Sequence, residues 1–108
     1  MTIKYVYVAS PYTLGDVGEN VRANIDAAEK LANADYVPFV PLLSHFWHMI
    51  HWHDYQFWID QTMAWLEKCD AVVRLPGISQ GADAEVERAK ELGIPVFSLE
   101  GLLPITAL

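Results

Sequence analysis

Cysteine is nearly absent from this chain of 108 residues. Cys69 stands alone, so no intramolecular disulfide can form, and a buried thiol is its ordinary reading. Basic residues are scarce too, 7 against 14 acidic for a net charge of −7. Duplex nucleic acid and other long polyanions should be repelled, although a small anionic metabolite gripped by backbone amides is not excluded. No apolar run reaches the length of a membrane span, and Met-Thr-Ile-Lys followed by the short run Tyr5 to Ala9 has no signal-peptide pattern. A cytoplasmic location is expected, with neither a membrane nor a nucleic-acid polymer as partner. Repeats and low-complexity tracts are missing. Residues 1–108 are expected to form one domain, burying roughly 65% of the unfolded surface.

What is present is organised around Cys69 to Phe97. An apolar run, Ala71 to Leu75, leads through the small-residue turn Pro76 to Ala82 into a helix-patterned segment ending at Leu92, and then into a second apolar run, Ile94 to Leu99. This is a strand, helix, strand unit. At about 100° per residue, Ala82, Val86, Ala89, Leu92 and Gly93 share one arc of about 120° that should lie on the sheet. Glu85 falls inside that arc, whereas Glu87 and Glu91 fall on the far side. One carboxylate is thus expected to face the carboxyl edge of the sheet, where open α/β sheets bind ligands. The plainer alternative is that Glu85 bends out to water or favours the helix start, as acids do.

Ser79-x-Gly81-x-x-x-Glu85, followed by Ala89 and by Gly93-Ile94-Pro95 after the strand Cys69-Asp70-Ala71-Val72-Val73, resembles the nucleoside 2-deoxyribosyltransferase superfamily, which includes the deoxynucleoside 5′-monophosphate N-glycosidases. Val6-Tyr7-Val8-Ala9-Ser10 is similar to that family's first strand and loop. The matching pieces cover both ends of the chain and roughly half its length.

Taken in order, Ile3 to Ala9 reads as a first, central strand buried on both faces. The loop Ser10 to Gly18 carries Pro11, Gly15 and Gly18, with Asp16 or Asn20 as the helix cap. From about Glu19 to Ala34 a crossover helix should bury Val21, Ile25, Ala28, Leu31 and Ala32. Tyr36 to Val40 reads as a second strand, placed at an edge by Pro38. Pro41 to His53 holds four His and two Trp without an amphipathic stripe. His45, His48 and His51 recur every three residues, but that spacing drifts about 60° per step and leaves at most two imidazoles on one face, so no metal site is expected. An aromatic lid or a subunit contact suits this segment better. Tyr55 to Lys68 reads as a helix with Trp58, Thr62, Trp65 and Cys69 inward and Asp60 opposite. Asp70 to Leu75 and Ile94 to Leu99 complete the sheet, and the apolar tail Glu100 to Leu108 is left to cap the sheet or a partner.

Alternating strands and helices imply an α/β, flavodoxin-like or Rossmann-like domain: a parallel sheet of about four strands in the order 2-1-3-4 with helices on both faces. Ala9, Ser10, Tyr12, Thr62, Pro76, Ser79 and Gly81 are the expected substrate-binding residues around Glu85. Amides at the helix start and the Ser79 hydroxyl favour an anion such as a 5′-phosphate. Equally, Ser79 is a plain N-cap and Gly81 a plain turn residue.

The resemblance implies that Glu85 attacks the anomeric carbon of a 2-deoxyribosyl group, and that Tyr7, matching the family's tyrosine, hydrogen-bonds Glu85 or the sugar. A Tyr in a strand is otherwise ordinary core. A retaining mechanism usually needs a second carboxyl group about 5 Å away. The resemblance implies an Asp eight residues before Asp70, and that position is Thr62, which is no acid near neutral pH. Asp60 is the candidate to replace it, and Asp54 a poorer one. The expected partner is a deoxynucleoside or deoxynucleotide, with no cofactor and with assembly as a homodimer or higher oligomer. Against the enzyme stand a nucleotide-binding module that lost its chemistry and a metal-dependent hydrolase using the histidines.

Overall fold

The computed structural model describes residues 2–104. Strand β1, Tyr5–Ala9, is the apolar run expected at the centre, and Val6 to Ala9 are fully buried. Helix α1, Val17–Asn33, starts at Asp16, whose side chain accepts from the Glu19 amide. Strand β2, Val37–Phe39, carries Pro38 at the sheet's edge. A 3-10 turn, Pro41–Leu43, runs into α2, Ser44–Ile50, and α3 spans Tyr55–Leu66. Then come β3, Ala71–Arg74, α4, Gln80–Glu91, β4, Val96–Phe97, and the short α5, Leu99–Leu102. The four strands lie in the order β2-β1-β3-β4, every pairing parallel. This is the expected flavodoxin-like α/β fold.

Alternation along the strands divides the core in two. Tyr7, Ala9 and Val72 pack against Leu66, Cys69, Ala82 and Ala89 on the α3/α4 face. Val6, Val8, Val73 and Leu75 pack against Ala27 and Leu31 of α1 and against Leu99 and Leu102 of α5. Fully buried leucines such as Leu31 and Leu66 each stabilise the fold by about 1.5–3 kcal/mol.

Several boundaries differ from the sequence reading. The fourth strand shrinks from Ile94–Leu99 to Val96–Phe97, because the Ile94 amide closes the end of α4 on the Ala89 carbonyl and Ser98 caps α5. In α1, Ile25 and Ala32 are exposed, and Asn24 and Ala27 take the buried arc. Leu92 sits at the C-cap of α4 and is 40% exposed instead of lying on the sheet. The tail residues Glu100 to Leu102 belong to α5, while residues 105–108 lie outside the described residues.

Candidate active site

Tyr7 leaves β1 on the α3/α4 face, fully buried, and its hydroxyl donates to Glu85 Oε2. Thr62 of α3 lies beside the same phenol, and its own hydroxyl donates to the Trp58 carbonyl at 2.9 Å. Phe39 stacks on Tyr7 with ring centroids 5.5 Å apart, which walls the group on the β2 side. Burial pushes the Glu85 carboxyl up to about 7, against the opposing pull of the Tyr7 hydrogen bond and the Arg74 charge. Tyr7 is raised far above the ordinary phenol range, first by burial and then by the Glu85 charge. Only Asn24 Oδ1, among the described residues, is a sealed side-chain oxygen or nitrogen without a partner. Among the described residues no donor reaches the second oxygen of the half-buried Glu85 carboxylate, and that oxygen is not sealed from solvent. A carboxylate held by one oxygen, with the other free and a pKa near neutrality, is able to act as nucleophile or base.

The remaining predicted residues divide between two faces. Ser79 is the N-cap of α4, its Oγ accepting from the Ala82 amide at 3.0 Å. A Cβ built on Gly81 would stand 4.0 Å from both Ser79 Oγ and the Tyr55 hydroxyl, so these three adjoin one another at the start of α4, one turn before Glu85. Ala9 packs in the Tyr7 cluster. Ser10 is one residue further and turns to the opposite face, where its Oγ accepts from Asn24 Nδ2 at 2.9 Å. Pro76 is also on that side, lining open hollows of about 530 and 210 Å³ with Leu75 and Leu99. Glu85 lines neither hollow. The Tyr12 hydroxyl pairs with His45 Nδ1 at 2.6 Å. Asp60 is exposed and accepts from Gln56 Nε2 at 2.8 Å, and Asp54 caps α3 through the Phe57 amide.

The histidine-rich segment forms a helix that packs on aromatic neighbours. Trp58 Nε1, which can only donate, bonds His48 Nδ1 at 2.8 Å, so the neutral His48 ring carries its proton on Nε2. His53 stacks on Phe57 at 3.7 Å. Among the described residues no group of three or more His, Cys, Asp or Glu side chains converges on a metal position. No helix among them is long and apolar enough to cross a membrane.

Sequence reasoning missed Arg74, Tyr55 and Asn24. Arg74 had a signal, a lone cation ending an apolar strand, whereas the Tyr55 contact depends on how α3 enters beside α4.

A family model described as a domain of unknown function, DUF7768, matches residues 4–99. The chain belongs to this family. No curated protein matches the DUF7768 chain. Its fold is similar to a solved structure of 2-deoxyribosyltransferase from the psychrotolerant bacterium Bacillus psychrosaccharolyticus, with a TM-score of 0.67 and 18% identity over 85% of this chain and 69% of that one. At that identity the likeness establishes the DUF7768 fold.

Proposed function

We propose that this chain cleaves or exchanges the N-glycosidic bond of a 2′-deoxynucleoside or its 5′-monophosphate, with Glu85 as nucleophile. The observation that carries the reading is the Tyr7–Glu85 pair, one carboxylate oxygen held and the other open. The free oxygen bonds to the anomeric carbon as the carbon–nitrogen bond breaks, and the bond's electron pair leaves with the base. Water, or a second base, then attacks the same carbon and returns the Glu85 carboxylate. A 2-deoxy sugar lacks the electron-withdrawing 2-hydroxyl, so its oxocarbenium-like transition state forms more readily. Tyr7 holds the carboxylate in place. The Gln80 and Gly81 amides, beyond the one capped by Ser79, are left to meet a 5′-phosphate.

Thr62 stands where the resemblance expects an acid, so the departing base takes its proton from solvent or from Asp60, which must first leave Gln56. That same substitution favours a second reading, a nucleotide-binding module without turnover. Incubation of the purified protein with each deoxynucleoside and deoxynucleoside monophosphate, followed by chromatography for free base, separates the two. Base release supports the enzyme; a ligand-induced rise in melting temperature without release supports the module.

Assembly as a homodimer or higher oligomer belongs to the same reading. Phe46, Met49, Ile50, Trp52 and Tyr55 are each more than half exposed, an apolar surface of the kind that subunit contacts cover. Analytical ultracentrifugation checks it, and a monomer at high micromolar concentration contradicts it.

A further inference from the structure

We infer that Arg74 is the positioning residue of this site: its guanidinium clamps the β3–α4 loop and the first turn of α4 into the arrangement that aims Glu85 at Tyr7. The inference rests on Glu85 being the reacting group, but its geometry stands separately.

Arg74 is the last residue of β3, paired in register with Ala9 at the end of β1. Strand alternation starts its side chain on the face of Val72, its charge reaches Glu85, and at the end of the strand it also borders the hollow lined by Leu75, Pro76 and Gly77. Its side chain is only 20% exposed. Nη1 donates to the Leu75 carbonyl, and Nη2 donates to the Gly77 carbonyl at 2.9 Å and to Asp83 Oδ1 at 3.0 Å. These three acceptors span the whole turn from strand to helix. Asp83 lies in the first turn of α4, two residues before Glu85. Because a guanidinium has five N–H donors in a rigid plane, three bonds of this kind fix the direction of the loop as well as its length. Both hydrogens of Nη2 are spent on the protein, so Arg74 is built into the loop and is not a free clamp for a substrate anion.

A second contact shows how tightly that loop is set. Gly77 holds φ at +117°, and a Cβ there would meet Pro11 Cγ at 2.7 Å. The loop is therefore pressed against the β1–α1 connection while Arg74 holds it from inside. The exposed ion pair with Asp83, whose side chain is 74% exposed, adds little energy by itself; the backbone carbonyls and the shared plane carry the constraint.

The groups that act on Glu85 are Tyr7 from β1 and Arg74 from β3, with Thr62 of α3 beside the Tyr7 phenol; Asp83, two residues earlier on the same helix, points to solvent on another face. Arg74 acts on it by charge as well as through the loop, and two substitutions separate these effects. Arg74→Gln removes both charge and fork, and Arg74→Lys keeps the charge and loses the fork. For base release we expect either variant to lower kcat by about ten- to a hundredfold with KM within about twofold, since a displaced nucleophile costs rate more than binding. In a carbon-13 titration of the Glu85 carboxyl, Arg74→Gln should raise the midpoint and Arg74→Lys should leave it in place. Amide exchange at Ala82 and Asp83, the amides that Ser79 holds at the start of α4, should quicken in both. Full kcat in Arg74→Lys, or unchanged exchange in that variant, overturns the clamp. Should Arg74→Gln fail to fold, Arg74→Lys alone decides through exchange. If the wild-type protein releases no base, the proposed reaction fails, yet exchange and titration still decide the role of Arg74.

Discussion

The β3–α4 unit and the α2–α3 segment are both helical pieces beside the same sheet, but they are held in different ways. In β3–α4 the helix lies on the sheet through small residues, Ala82 and Ala89, and its polar groups have specified partners: Ser79 with the Ala82 amide, Arg74 with Leu75, Gly77 and Asp83, Glu85 with Tyr7. In α2–α3 the rings pack on one another. Trp47 and Trp58 meet edge to face at 5.0 Å, His53 stacks on Phe57, and α2 buries no residue of its own. The first region is positioned by the sheet and supplies a fixed carboxylate. The second meets the sheet through the end of α3, where Leu66 is buried and Trp65 stacks on Phe39, while α2 and the start of α3 are held by aromatic contacts to each other.

Substitutions test this contrast, beginning with the greatest expected effect. Glu85→Gln should lower base release by at least about a thousandfold, the loss expected of a nucleophile. The same change should alter stability in a pH-dependent way. A carboxyl pushed up from 4.5 to about 7 in the folded chain contributes stability that is full below pH 4.5 and is lost as pH rises through 7. Above pH 8 the Gln variant should therefore be more stable than wild type, by at most about 3 kcal/mol, measured by urea unfolding at several pH values. Tyr7→Phe keeps the ring but removes the donor, and should cost about ten- to a hundredfold in kcat while moving the acid limb of the rate profile to higher pH.

Gly77→Ala probes the loop that the site depends on. Strain at φ +117° and the contact with Pro11 should destabilise the fold by roughly 2 kcal/mol or more. In the aromatic region, Trp58→Phe removes the donor to His48 Nδ1 and should cost about 1 kcal/mol with little change in kcat; an activity loss matching that of Tyr7→Phe would erase the contrast between the two regions. The smallest effect is expected for Asp60→Asn, less than about twofold in rate, because the carboxylate is exposed and held by Gln56. A large loss would instead make Asp60 the missing acid.

Much of the first region was legible in the sequence because its signals are local. Helical periodicity placed Glu85 among Ala82 and Ala89, Pro38 marked the edge strand, and Ser79 read as the cap of the helix that follows β3. The β1 alternation was less well used: Tyr7 and Ala9 face α4, so Ser10 had to turn toward α1, and grouping it with Glu85 ignored that period of two. Helix α3 was legible from Tyr55 onward, but α2 was not, because its rings are satisfied by those of α3 across the 51–54 connection, and pairs such as Trp47 with Trp58 have no fixed sequence spacing. Arg74 was overlooked for a similar reason. Its partners lie one, three and nine residues ahead, a pattern that belongs to a turn and to no repeating element.

The most direct test of the central claim is intact-mass analysis of the protein quenched during turnover of a deoxynucleoside monophosphate. A mass increment of one deoxyribosyl phosphate unit, mapped to the peptide containing Glu85 and absent from Glu85→Gln, is the predicted result. Base release that continues undiminished in Glu85→Gln, with no adduct in either protein, would contradict it.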